Sequence, residues 1–371
     1  MGMLAFFPWL AIEEPKQFAE FQLIPFHRGE SPGPDTQTQA ILDRILGSYY
    51  SREKQVEQAV LVRVQDHELT ADLSEQERSK LFLFSELLAC AGLSGRRYFW
   101  GDGYKNRHNY LLVIQSFTER QPAVSMTTRR RDGSTTSIDS LEASRIERPP
   151  HVHLSGKNPC DETLLNALLL CRGSERWEAI FEAVLNFNHA NTDDSFTPEL
   201  ETVLMVAAFG RLFDVWKESE LADRFSSSLA PSEDVLPSAS GDASRFGNAT
   251  SVRQAWMRDL FRLRGNHAHG RVRSPYEPHW TLRNHLLLAS FAFPLSLKKE
   301  LEKEGRYELA EEDLAGIDAF ERLACEDHFA PGDEEEEPPW NRILRDVRLR
   351  SAARKALGLL KKPTAGDQQA T

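Results

Sequence analysis

A chain of 371 residues is longer than one hydrophobic core ordinarily serves, so two domains with connecting segments are expected. With 40% hydrophobic and 27% charged residues the composition is that of a globular protein, and no apolar run reaches the roughly 18 residues that a membrane-spanning helix needs. A net charge of −11 excludes a protein coated in basic surface, so any polyanion has to be held by local patches.

The first dozen residues are apolar and aromatic, lack a basic leader, and meet Glu13 and Glu14 at once, which predicts an N-terminal strand in place of an export signal. Residues 38–50 carry a helical stripe of Ile41, Ile45 and Tyr49. Ser74-Glu75-Gln76-Glu77 is a capping box; behind it run Leu81, Phe84, Leu88 and Ala91, with Gly92 as the expected stop. Strands are predicted at 60–64 and 110–114. A hairpin is predicted from 123–128 and 134–138 around Arg129-Arg130-Arg131-Asp132-Gly133. Gly101-Asp102-Gly103 lacks a following Lys-Ser/Thr and reads as a turn. The four cysteines, Cys90, Cys160, Cys171 and Cys325, form no Cys-x-x-Cys pair, which predicts a reduced, cytoplasmic protein that uses them as small core residues.

Pro149-Pro150 is the expected domain boundary, because proline fixes φ and biases the preceding residue away from helix. Beyond it the periodicity turns helical. Helices are predicted at 162–171, from Trp177 through Leu185, and at 199–216, followed by a mobile Ser/Pro/Gly/Asp-rich loop over 226–250. A fourth helix starts near Ser251 and buries Val252, Trp256, Leu260 and Leu263; a fifth runs from about Thr281, kinked or ended by Pro294. The expected fold is therefore α+β: a mixed domain with β-strands over residues 1–150 that senses or positions something, then an all-α bundle over 151–330. A last segment, 331–371, joins the acidic run Glu334-Glu335-Glu336-Glu337 to a basic helix. Residues 341–362 hold eight Lys or Arg against one Asp, +7, which leaves −18 for the remainder.

One stretch of the fourth helix holds residue types suited to chemistry: Phe261-Arg262-Leu263-Arg264-Gly265-Asn266-His267-Ala268-His269-Gly270. Arginine stays charged and forks onto phosphate oxygens, while histidine, with an ordinary pKa near 6.5, moves protons at neutral pH. The pattern resembles the Arg-x4–6-His signature of HEPN domains, and especially the ApeA-like branch, whose helix ends Arg-x-x-x-x-His-Gly. Arg264, His269 and Gly270 match that ending, and the helical resemblance covers about residues 161–301. It implies a metal-independent endoribonuclease that needs no cofactor, acts on RNA as a homodimer, and leaves 2′,3′-cyclic phosphate ends. It further implies a part in antiviral defence by abortive infection, with a phage-derived trigger. Arg264 and His269 are then the catalytic pair, with Asn266, Arg262 and His267 in support.

In many members a polar residue directly follows the arginine, whereas here Gly265 intervenes before Asn266. Arg262 also satisfies the spacing. At 100° per residue Arg262 and His269 differ by about 20° around a helix, and Arg264 and His269 by about 140°. Gly265 is expected to loosen the helix enough for either arginine to reach. The competing expectation is a catalytically inactive HEPN module used for binding or dimerisation. His151-x-His153 and His267-x-His269 lack a Cys or carboxylate at metal-like spacing, so no metal site is expected.

Overall fold

The computed structural model describes residues 2–30, 36–51, 53–65, 67–95, 106–117, 145–149, 152, 160–192, 195–231, 249–269, 276–325 and 339–356, with short pieces at 125–126, 128–129 and 135–136. The chain is α+β, strands first and helices after, in two compact units, Met1–Ala208 and Phe209–Thr371.

The first unit is built on an antiparallel sheet. Its strands are β1 (Gly2–Phe7), β2 (Lys16–Phe18), β3 (Phe21–His27), β6 (Gln58–Val64), β7 (Val113–Phe117) and β8 (Ser125–Met126), in the order β2-β3-β6-β1-β7-β8. Side chains alternate across it. Leu4, Phe6, Phe26 and Leu61 enter a cluster with Leu42, Ile45 and Leu46 of α1 (Thr36–Leu46), whereas Phe21 stacks at 4.4 Å on Phe84 of α2 (Glu75–Ser94). With both faces covered, β6 buries Ala59 to Val62 without a polar interruption, which is why periodicity alone marks it only as a short apolar run.

The helical stripe at Ile41, Ile45 and Tyr49 breaks at Gly47. Tyr49 belongs to β4 (Tyr49–Ser51), which pairs with β5 (Lys54–Gln55) and with a strand at Ile146–Glu147. All three stripe residues are buried, so spacing could not separate helix from turn and strand. The capping box is present, with Ser74 and Glu77 bonded reciprocally, but the helix passes Gly92 and stops at Ser94. Gly92 is instead a contact point: a Cβ there would lie 1.9 Å from Tyr110 Oη. The strand expected at 110–114 is shifted; Arg107–Tyr110 forms a 3-10 turn ahead of β7. Thr135 pairs with Arg129, and Thr136 with Thr128, on either side of the expected hairpin turn.

Helices α3 (Glu162–Leu170) and α4 (Trp177–His189) were expected in the bundle; they fall in the first unit and pack on α2. Helix α5 (Pro198–Phe213) crosses the division and ends three residues earlier than expected, at Asp214 with φ +53°, so that Trp216 lies under the Arg211 guanidinium.

The second unit adds α6 (Glu218–Ser228), α7 (Val252–His269), α8 (Leu282–Lys303), α9 (Glu311–Cys325) and α10 (Pro339–Ala356). Phe209, Phe225, Trp256, Phe293 and Phe320 interlock as its aromatic core, with ring centroids 5.1–5.5 Å apart between Phe225 and Trp256, Trp256 and Phe320, and Phe209 and Phe293. Helices α6 and α9 were not anticipated. The first was concealed by its Ser-rich end and the second by Ala and Gly on its packing face, where a Cβ on Gly316 would come within 3.1 Å of Leu295. Pro294 is buried within α8 and does not end it. Among the described residues no helix is long and apolar enough to cross a membrane. Cys90 and Cys171 are buried, as expected of small core residues, but Cys325 is exposed.

The turn residues 130–134, Gly101-Asp102-Gly103, Pro150, His151, His153, Gly270, the acidic run at 334–337 and most of the loop expected over 226–250 lie outside the described residues.

Candidate functional site

Trp256, Leu260 and Leu263 bury one side of α7 in the aromatic core and thereby fix which residues it can present elsewhere. The helix runs unbroken through Gly265 to His269, contrary to the expected loosening. A Cβ on Gly265 would touch nothing within 4 Å, so packing does not require glycine there. In a regular helix Arg264 and His269 therefore stay about 140° apart around the axis of one chain. Arg264 and His267, at i and i+3, share a face.

The face bearing Asp259, Arg262 and Asn266 is occupied by the segment that follows the motif. Asn266 donates its amide to Tyr276 O at 2.6 Å and accepts from Tyr276 N at 2.8 Å. Arg262 is held by Glu218 of α6, at 2.9 Å from Nε and 2.7 Å from Nη2, with its guanidinium 5.7 Å from the Tyr276 ring centre. The bond to Glu218 raises the arginine pKa further. Two of the five expected site residues thus hold the fold together.

Arg264 differs. Its guanidinium lies 4.8 Å from the Phe261 ring centre, is partly exposed, and has no acidic partner among the described residues. His267 is half-buried with Nε2 enclosed and unbonded. His269 closes the helix as its last residue. Of the two arginines that fit the spacing, Arg264 is the one with a charge left to offer a phosphate.

Sequence inspection missed Asp259, which organises this region. Fully buried, it accepts from the Tyr276 hydroxyl, from His279 N at 2.9 Å, from Trp280 N at 3.1 Å, and from His285 Nε2 of α8 at 2.9 Å. Burial pushes its pKa up, but the bonds from His285, Tyr276 and Trp280 outweigh burial and hold the carboxyl below its usual value. Tyr276 is pushed up to about 12, first by burial and then by its bond to Asp259. Burial drives the His285 pKa down against the pull of Asp259. A charged ring would strand a second N–H, because Nδ1 is enclosed and unbonded; the neutral tautomer with Nε2–H toward the carboxylate leaves only an unpaired acceptor there. The signal was legible in principle: Asp259 sits one position before Leu260, within a stripe that is otherwise apolar.

Both folded pKa values lie below their ordinary values of 3.8 and 6.5, so the unfolded chain binds protons more readily than the folded one. Stability from this pair is full above about pH 6.5 and falls as the pH drops, first through His285 and then, below the ordinary carboxylate value, through Asp259. We expect the unfolding midpoint to drop between about pH 7.5 and 5.5, and His285→Gln to flatten that drop. Identical pH responses of the two proteins would contradict the assignment.

Among the described residues no group of three His, Cys, Asp or Glu side chains is placed to hold a metal ion. No family model, curated protein or solved structure matches the chain.

Proposed function

We propose that the protein is a metal-independent endoribonuclease of HEPN type, with Arg264 and His269 as its catalytic residues. The observation that supports it is the end of α7: a cationic side chain without an acidic partner among the described residues, five positions before the histidine that closes the helix. In the proposed reaction the 2′-hydroxyl of RNA attacks the adjacent phosphorus and the 5′-oxygen leaves, giving a 2′,3′-cyclic phosphate and a 5′-hydroxyl. Arg264 forks onto the non-bridging oxygens as charge builds on them, and His269 relays the proton.

Positions 264 and 269 lie about 140° apart around the axis of a regular helix. The proposal therefore requires a homodimer in which Arg264 of one protomer works with His269 of the other. His267, on the Arg264 face, is the in-chain competitor for the proton-carrying role. The setting proposed is the cytoplasm, in abortive infection, with a phage-derived trigger acting through the first unit.

A second reading rests on the engagement of Arg262 and Asn266 in the fold: a catalytically silent module of the same type that binds or dimerises. RNA cleavage by the purified chain, with and without infected-cell extract, separates the two. Under the proposal EDTA leaves cleavage unchanged, Arg264→Ala abolishes it, and Arg262→Ala lowers thermal stability before it lowers cleavage. RNA left intact under every condition would leave only the silent module, and loss of cleavage in EDTA would point to a metal site.

A further inference from the structure

Helix α10 carries five arginines, one lysine and one aspartate in its 18 residues, a charge of +5 within a chain of −11. Its inner side is already occupied. Ile343 is 2% exposed, the helix packs along α9, and Asp346 meets Arg322 at 3.4 Å. At 100° per residue Arg342, Arg345 and Arg348 fall on the opposite arc, about one turn apart, and all three are exposed. Arg348 lies 3.7 Å from Glu312, a solvent-screened contact that a phosphate can displace.

We propose that this arginine row is a docking surface for the backbone of single-stranded RNA, which it holds by its phosphates. Successive guanidiniums rise about 4.5 Å per step, so the row spans about 9 Å along the helix, short enough for three long side chains to reach neighbouring phosphates of one strand. The rest of the chain is strongly negative and repels a polyanion, which focuses encounter on the cationic arc. An anionic lipid surface shares the charge preference, but interfacial helices also bury an apolar face. Leu349 is the one large apolar side chain of α10 that is exposed among the described residues. The docking surface rests on the ribonuclease reading only for the choice of RNA.

The test uses the full chain, a short labelled 2′-O-methyl RNA that cannot be cleaved, and salt from about 50 to 200 mM. The triple variant Arg342→Gln, Arg345→Gln, Arg348→Gln is expected to bind about tenfold or more weakly at the lowest salt. The slope of log affinity against log salt should flatten by about 2, three phosphate contacts at about 0.7 each. The corresponding triple lysine variant should keep the wild-type slope. Equal affinity and slope in the glutamine variant would overturn the docking surface. So would selective loss of binding to anionic vesicles with RNA binding intact. Wild-type cleavage of unmodified RNA without an α10 contribution to binding sinks this surface alone, whereas α10-dependent binding without cleavage sinks the ribonuclease alone.

Discussion

Asp259→Ala is expected to destabilise the second unit by about 3–5 kcal/mol, a large fraction of the 5–15 kcal/mol that holds a typical domain folded. The substitution removes the one acceptor shared by the Tyr276 hydroxyl, His279 N, Trp280 N and His285 Nε2. Each donor left buried without a partner costs about 1–3 kcal/mol, and those near the surface recover part of that from water. Asp259→Asn keeps an acceptor and should lose clearly less. Trp256 and Trp280, two of the seven tryptophans, lie 5.9 and 6.0 Å from the His285 ring and contribute the part of the fluorescence change in urea unfolding that senses this region. A midpoint for Asp259→Ala equal to that of the wild type would mean that the carboxylate does not anchor the segment after the motif.

The largest effect on activity is expected from His269→Ala, which should lower RNA cleavage by about 100- to 10,000-fold, the usual contribution of a positioned proton carrier. His267→Ala should cost far less if the proton passes through His269; the reverse order would move the site to the face that Arg264 and His267 share. Asn266→Ala is the contrasting case. Its amide binds Tyr276 on both sides, so unfolding should come earlier with cleavage largely retained at low temperature.

The α+β order, the capping box at Ser74 and the helix behind Val252 were readable in the sequence, because local patterns set them. Three features were not, each because a distant contact decides it. Gly92 looked like a helix stop, but its role is to let Tyr110 approach. Helix α9 interleaves Ala315, Gly316, Ala319 and Ala324 with Ile317, Phe320 and Leu323 on its buried side, and the fit at Gly316 depends on the facing Leu295. At the candidate site the motif was visible, but the division of labour within it was not. Arg262 and Arg264 are chemically identical in the sequence, and only Glu218, 44 residues upstream of Arg262, separates the anchored guanidinium from the available one. Asp259 and His285 lie 26 residues apart and become a pair only when α7 and α8 meet.

The proposal of a site shared between two protomers is tested most directly by mixing two inactive proteins. Arg264→Ala and His269→Ala are each expected to be nearly dead, but subunit exchange should create dimers with one intact site, built from the arginine of one protomer and the histidine of the other. For an equal mixture, half the dimers are mixed and each has one of two sites working, so cleavage should recover to about a quarter of wild type. Cleavage no higher than that of the separate variants, under conditions where exchange of labelled subunits is complete, would contradict a site assembled across two copies of α7.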